Sequence, residues 1–465
     1  MRRKGRQAVA VSFKKELGRN PGKMLQRIIS EDEVAEVCKI LHHQWRKRVF
    51  TPLVTLWAFL DQILNAGSSC GAAVARVLSY LSVSCGLDAS HDPSAYARAR
   101  KRLPLDLLPR LAALVAGKLA AKVQPHQLWY GLRPRLLDGS TVTLWDSPSN
   151  QAAYPQPGSQ KPGCGFPVAR IVGLFDLVTG AVVNLAMGAL SDSEIVLWHR
   201  LKFVLTPQDV VVADTYFCSY AEIALLRRQG SHALFRLHQR RSTDWRQGRR
   251  LGPHDRRVEW SKGAKPDWMT DRQYAELPDT LTIRLARVRS RRPREHRRPL
   301  IIATTLLDSE AFPARAIGEL YNRRWDVETD LDHLKTTMQM EVLRTRTPDM
   351  VYRELWAHLL AYNLIRTLMW DAGEIRRVDP LRLSYQGAIH EIIALWPFTA
   401  AATEGRDMSE YYRALLRGIA SHRIPDRPNR REPRVLKRRP KGFPLMTQPR
   451  AQYKKDLQRV TALSS

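Results

Sequence analysis

From about residue 130 the chain changes texture, and that change narrows the folds open to it more than any other feature. "LRPRLLDGSTVTLW", "ARIVGLFDLV", "AVVNLAMGAL" and "DVVVADTYF" are short β-branched runs punctuated by Gly, Pro and Ser, which predicts strands. "SDSEIVLWHRLKFVL", before the last of them, reads as a helix. Strands followed by a helix, a strand and another helix predict a mixed α/β unit. Ahead of it, "TPLVTLWAFLDQIL", "GAAVARVLSYL" and "LLPRLAALVAGKLAAK" space their apolar residues three and four apart, predicting helices across about 45–130. At 465 residues the chain exceeds what one hydrophobic core usually organises, so two or three structural units are expected.

"RIVGLFDLVTGAVVNLAMGAL" (Arg170 to Leu190) has about the length a membrane-spanning helix needs. It holds Asp176 and a Thr179-Gly180 turn signal between β-branched halves, so a buried hairpin is predicted instead. The start "MRRKGRQAVAVSF" is basic but lacks an apolar run behind it, against a secretory leader. Five scattered cysteines without a C-x-x-C pair read as reduced thiols, not as a disulfide frame or zinc site. Such thiols are expected in an intracellular protein.

Charge supplies the partner. With 75 Lys+Arg against 45 Asp+Glu the chain carries a formal +30, and the excess recurs along its length, as expected for a chain that binds nucleic acid. "SAYARARKRLP" is either a solvated helix end or a DNA-contacting helix. The stretch from about Gln239 to Pro299 is Arg-rich, holds Trp245, Trp260 and Trp268, and looks inserted into the α/β unit. "RIPDRPNRREPRVLKRRPKGFPLMTQPR" is a basic, proline-broken tail, expected to be extended and to track phosphates. The Pro/Gly/Gln loop "DSPSNQAAYPQPGSQKPGCGFP" is longer than loops without a task usually are.

Three carboxylates could carry chemistry. In "RLLDGSTVTLW", Leu136, Asp138, Ser140, Val142 and Leu144 would share a strand face. A carboxylate among apolar residues is costly unless a cation or donor holds it. Alternatively Asp138-Gly139 is a type I′ hairpin turn. Asp214 closes "VVVAD", at the end of a strand where α/β folds place ligand-binding groups. Its alternative role is to cap the next helix, although Ser219 and Glu222 offer a capping box there and leave Asp214 free.

The third is Glu328, in "YNRRWDVETDLDHLK". A helix from about Pro313 to Met340 would bury Ile317, Leu320, Arg324, Val327, Leu331, Leu334 and Met338 as one seam, with Arg324 its one charge. Tyr321, Arg324, Glu328 and Lys335 would then form a stripe at the seam's edge. That stripe is either a set of interhelical ion pairs or part of an active site. Three carboxylates on two strands and a helix can surround two hard cations, which activate a water or a 3′-hydroxyl for in-line displacement at a phosphodiester.

"YNRRWDVETDLDHLK" fits Y-x₂-R-x₃-E-x₆-K through Tyr321, Arg324, Glu328 and Lys335, and is similar to the signature of bacterial insertion-sequence transposases of the IS-4 (insertion sequence four) family. The stretch from "DGSTVTLW" to "FDLVTG" and "VVVADTYF" resemble that family's first and second aspartate regions, in order. The resemblance implies an α/β, ribonuclease-H-like mixed sheet core with a β-rich insertion. An N-terminal helical DNA-binding region and a C-terminal helical region with a basic tail would flank it. The corresponding boundaries are 1–130, 131–345 with the insertion at about 239–299, 346–422 and 423–465.

It also implies a catalytic, metal-binding triad of Asp138, Asp214 and Glu328 holding two Mg²⁺ ions, with Mn²⁺ able to substitute. Tyr321, Arg324 and Lys335 would grip phosphates near the transposon end. Trp268, Trp260 or Trp245 would stack on a flipped base, or else be core residues of the insertion. The implied activity is cut-and-paste transposition: hydrolysis and strand transfer at terminal inverted repeats of double-stranded DNA, by a synaptic homodimer acting also on target DNA, in the bacterial cytoplasm and associated with the nucleoid. Two other readings stand beside it, a ribonuclease-H-like nuclease of branched or hybrid nucleic acid and a non-catalytic DNA-binding derivative.

Overall fold

Among the described residues, β-branched runs and alternating faces assemble ten strands into one mixed sheet, in the order 182–189, 168–176, 133–144, 209–213, 232–236, 300–304, 280–288, 255–261 and 249–252, with 342–343 beside 133–144. The computed structural model describes residue 25 and residues 27–46, 48–65, 67–238, 241, 243–289, 299–400, 408–425 and 444–463. The basic start, residues 290–298 of the Arg-rich stretch and residues 426–443 of the tail lie outside the described residues.

Among the described residues five α-helices precede the sheet: α1 (Glu31–Ile40), α2 (Pro52–Leu64), α3 (Cys70–Cys85), α4 (Ser94–Arg102) and α5 (Leu107–Ala121). Their starts follow local chemistry. Ser30 and Glu33 close a capping box at α1, Thr51 caps α2 ahead of a proline at its first turn, and Ser69 caps α3. Gly86 ends α3 in the left-handed conformation, φ 64°.

The sheet then begins with β1 (Arg133–Leu144), followed by the short α6 (Pro148–Ala153), β2 (Val168–Asp176) and β3 (Val182–Ala189). β2 and β3 pair antiparallel, so the apolar run from Arg170 to Leu190 is a hairpin turning at Thr179-Gly180. Among the described residues no helix is long and apolar enough to cross a membrane. The long loop after β1 is tied down through Asn150, whose side-chain amide donates to the carbonyls of Trp145 (2.9 Å) and Thr345 (3.0 Å).

Next come α7 (Glu194–His199), β4 (Asp209–Ala213), α8 (Tyr220–Arg228) and β5 (His232–Arg236), with β4 parallel to both β1 and β5. The Arg-rich stretch supplies β6 (Arg249–Gly252), β7 (Asp255–Ser261), α9 (Asp271–Ala275) and β8 (Thr280–Val288). Through β9 (Leu300–Thr304) these strands continue the same sheet. Arg284, fully buried on β8, pairs with Asp255 and donates to the Phe312 carbonyl (2.6 Å), which offsets the cost of burying its charge.

The last portion holds α10 (Ala314–Asn322), α11 (Asp326–Asp332), β10 (Val342–Leu343), α12 (Pro348–Arg376), α13 (Tyr385–Ala400), α14 (Met408–Ser421) and α15 (Arg450–Leu463). α12 is buried along most of its 29 residues and joins α5, α14 and one sheet face in the larger core. The other sheet face packs on α7, α8 and the β6–β8 stretch around Trp198, Phe217 and Phe235. Of the proline-broken stretch expected to be extended, residues 444–449 take neither helix nor strand, and α15 follows where its prolines stop, at Pro449.

Candidate active site

Asp138 stands in the middle of β1, paired opposite Gly173 of β2. The hairpin-turn alternative is thereby overturned, since a type I′ turn needs positive φ at both central residues and neither Asp138 nor Gly139 has it. β1 and β4 pair in parallel from Arg133↔Asp209 to Leu136↔Val212. Two residues further along each strand, Asp138 and Asp214 therefore stand level with one another.

Each aspartate has one oxygen fixed by backbone. Asp138 Oδ1 accepts from the N–H of Gly139 (2.9 Å), and Asp214 Oδ1 accepts from the N–H of Tyr216 (2.8 Å). The expectation that Asp214 is free of capping is corrected: it caps a single 3₁₀ turn, Thr215–Phe217. Ser219 does cap α8, but Glu222 does not complete a capping box. Its buried carboxylate takes the indole N–H of Trp198 (2.9 Å) and pairs with His199 and Lys202 (2.6 Å each).

The continuous helix expected over 313–340 is broken. α10 ends at Asn322, Arg323–Trp325 form a 3₁₀ turn, α11 follows, and His333–Thr337 form a π turn. The apolar period survives, because Ile317, Leu320, Arg324, Val327, Leu331, Leu334 and Met338 are all buried. The 3₁₀ turn eclipses residues three apart, which brings Arg324 beneath Tyr321. Both are buried, at 7% and 2% exposure, so this part of the stripe is not a solvated helix edge. Glu328 is exposed and Lys335 half-buried.

α11 packs against β1 and is anchored from behind. Asp330 pairs with Arg366 of α12 and accepts from the Tyr362 hydroxyl (3.0 Å). Burial still pushes the Asp330 carboxyl up to about 6, against the pull of Arg366. His333 stacks on Tyr385 at 4.7 Å, and burial, aided by Arg366, holds it down to about 3 and therefore neutral. The face carrying Glu328 thus rests on an ordered polar support.

Arg324 joins strand and helix. Its guanidinium lies 3.7 Å from Asp138 Oδ2 and 3.8 Å from Glu328 Oε1, and covers the Trp325 ring at 4.2 Å. Its Nε is buried without a hydrogen-bond partner. Burial pushes the Tyr321 hydroxyl up to about 12, opposed by Arg324 and Arg236 nearby, so the phenol stays protonated. Burial likewise pushes Asp138 up to about 6; Arg324 and the Gly139 N–H oppose this, while the charges of Asp214 and Glu194 add to it.

Glu194 went unnoticed in the sequence reading. It opens α7 close to Asp138 and Asp214, and burial raises its carboxyl against the pull of Arg170, with Asp214 adding to the rise. The available signal was Gly139, since a glycine inside a strand often marks a close approach. Trp268 is half-buried, its ring edge-on to His199 at 4.2 Å, and packs with Trp245 and Trp260 against the second core. None of its described contacts joins it to Asp138, Asp214 or Glu328.

Hard oxygen donors of like charge, two of them oriented by backbone, suit a divalent cation. Among the described residues no three such side chains converge closely enough to hold an ion, and Arg324 stands between Asp138 and Glu328. Residues 129–364, just over half of the chain, match the family described as Transposase DDE domain. The chain is 28% identical over 359 residues to the transposase InsG for insertion sequence element IS4 of Escherichia coli (strain K12), covering 76% of this chain and 78% of that protein. To a probable transposase for insertion sequence element IS5377 of Geobacillus stearothermophilus it is 24% identical over 368 residues, covering 78% and 87%.

Proposed function

This chain belongs to the DDE transposase family, and from that premise we propose that Asp138, Asp214 and Glu328 are its catalytic triad. The protein is a DNA transposase, a metal-dependent enzyme that cleaves DNA. One observation carries the residue assignment: Asp138 within β1 and Asp214 just past the end of β4 each follow the last paired positions of two adjacent parallel strands, and Arg324 links Asp138 to Glu328 on the neighbouring helix. The mixed sheet with its two buried faces supports a ribonuclease-H-like core.

Asp138, Asp214 and Glu328 would hold two Mg²⁺ ions, with Mn²⁺ as substitute. Such ions would supply polarisation of the phosphodiester and a lowered pKa for an attacking water or 3′-hydroxyl. The backbone N–H bonds to Asp138 and Asp214 fix each carboxylate and leave its second oxygen for a cation. Tyr321, kept protonated by burial, offers a neutral donor to a phosphate oxygen. Arg324 offers its orphan Nε to the same anion. Lys335, on the π turn and without an ion pair among the described residues, reaches a further phosphate, completing a Tyr-Arg-Glu-Lys set.

The substrate in this reading is double-stranded DNA ending in the element's terminal inverted repeats, cut and joined to target DNA by a synaptic homodimer in the cytoplasm. Glu328→Gln tests the assignment on a supercoiled plasmid carrying the element's own ends with Mg²⁺. Cleavage should fall by about a thousandfold or more, as expected when a group acting in the transition state is lost. Undiminished cleavage would refute the triad. Cutting that ignores the inverted repeats would refute transposition of this element as the task.

A further inference from the structure

Where the N-terminal helices meet the DDE domain, a cavity of about 330 Å³ is lined by Gln62, Gly67 and Arg100 on one side and by Gln339, Arg344 and Glu354 on the other. Arg100, in the last turn of α4, lies over the rings of Phe59 (4.7 Å) and Tyr96 (5.2 Å), and its Nη1 donates to Gln62 Oε1 (2.9 Å). Arg344 follows β10 and reaches across to the turn before α3, its Nη1 standing 3.9 Å from where a Cβ on Gly67 would lie. Its Nη2 donates to Gln339 Oε1 (3.3 Å). Both arginines thus bond to neutral amides, and among the described residues neither forms an ion pair. Glu354, the one carboxylate on the described wall, is committed elsewhere: it accepts the backbone N–H groups of Arg344 (3.0 and 3.1 Å) and Thr345 (2.9 Å). Two cations bordering one space repel each other unless an anion enters between them.

We propose that Arg100 and Arg344 hold one backbone phosphate of the DNA between them, and so fasten the strand to the N-terminal helices and the DDE domain together. Each guanidinium can present two parallel N–H donors to phosphate oxygens, which suits this anion. The surroundings favour a DNA strand over a small free anion. Lys101 and Arg102 follow Arg100 and are exposed, so positive charge continues beyond the cavity. On the other side the chain between Lys335 and Arg344 folds back on itself, the Glu341 N–H donating to the Lys335 carbonyl (3.1 Å), which keeps Arg344 near a residue proposed to meet another phosphate. The basic helix of "SAYARARKRLP" thereby contacts DNA through its last turn. This rests on the element's DNA being the substrate and not on the triad.

The test is binding of the intact chain, in chelator, to a duplex carrying the element's own end, with one phosphate at a time replaced by an uncharged methylphosphonate. At one position the replacement should weaken wild type by about tenfold, the worth of a charge-assisted contact, and leave the double variant Arg100→Gln, Arg344→Gln unaffected. Each protein is compared with itself on two duplexes, so a general loss of stability does not imitate this pattern. Arg344→Gln alone, which keeps the backbone N–H bonds to Glu354, should weaken binding to the unmodified duplex by about tenfold and lower its salt slope by about one. A methylphosphonate profile in the double variant identical to that of wild type would overturn the shared phosphate. If, with that identical profile, inorganic phosphate at constant ionic strength raises the melting temperature of wild type alone, the cavity takes a small free anion instead. Wild type that binds its own end no better than an unrelated duplex would overturn the reading of the ends as substrate on which the proposal rests.

Discussion

Asp138→Asn should stabilise the fold while abolishing its chemistry. Burial raises the Asp138 carboxyl from 3.8 to about 6, so the folded state binds the proton more tightly than the unfolded chain does. Ionisation therefore costs stability: nothing below pH 3.8, increasingly between 3.8 and about 6, and in full above that. At about 1.4 kcal/mol for each pH unit the full cost is about 3 kcal/mol. The side chain is 22% exposed, which leaves little solvent screening to reduce it. Asparagine keeps an oxygen for the Gly139 N–H and discards the charge.

Denaturant unfolding in chelator should place Asp138→Asn about 2–3 kcal/mol above wild type at pH 7.5. The two should converge near pH 3.5. Saturating Mg²⁺ should close the gap at pH 7.5 by raising wild type alone, since a ligand at a hundred times its dissociation constant contributes about 2.7 kcal/mol. A variant no more stable than wild type at pH 7.5, or equally more stable at both pH values, would refute the electrostatic account.

Lys335→Ala should weaken binding to the element's ends by about tenfold, the worth of a charge-assisted contact, and leave Mn²⁺ affinity unchanged; a fall in Mn²⁺ affinity would contradict a phosphate role. Trp268→Ala should cost about 2 kcal/mol of stability, because the half-buried ring packs against His199. An unchanged stability with defective strand processing would assign that ring to DNA instead. Affinity for the ends should fall steeply with salt, by about a thousandfold between 50 and 200 mM if six or more phosphates are neutralised. A flat profile would exclude the +30 chain's basic surface as the binding face.

The sequence made Asp138 and Asp214 legible because a carboxylate within or just beyond an apolar strand is anomalous in a one-dimensional pattern. Arg324 was legible for the same reason, as one charge in a buried seam. The breaks around it were not. A 3₁₀ turn at Arg323–Trp325 and a π turn at His333–Thr337 change the hydrogen-bond step by one residue in opposite senses, so the apolar period passes through both unaltered. Glu222 was misread because its capping box competes with Trp198, His199 and Lys202, partners from α7 and the turn after it that only the folded core brings near. Glu194 was hidden more deeply, for nothing in "SDSEIVLWHR" distinguishes it from an ordinary residue of a first helical turn. What distinguishes it lies more than fifty residues away, in the missing side chain of Gly139. That close approach becomes readable only once the strand is known to continue through the Asp-Gly pair, where a turn could equally have been expected.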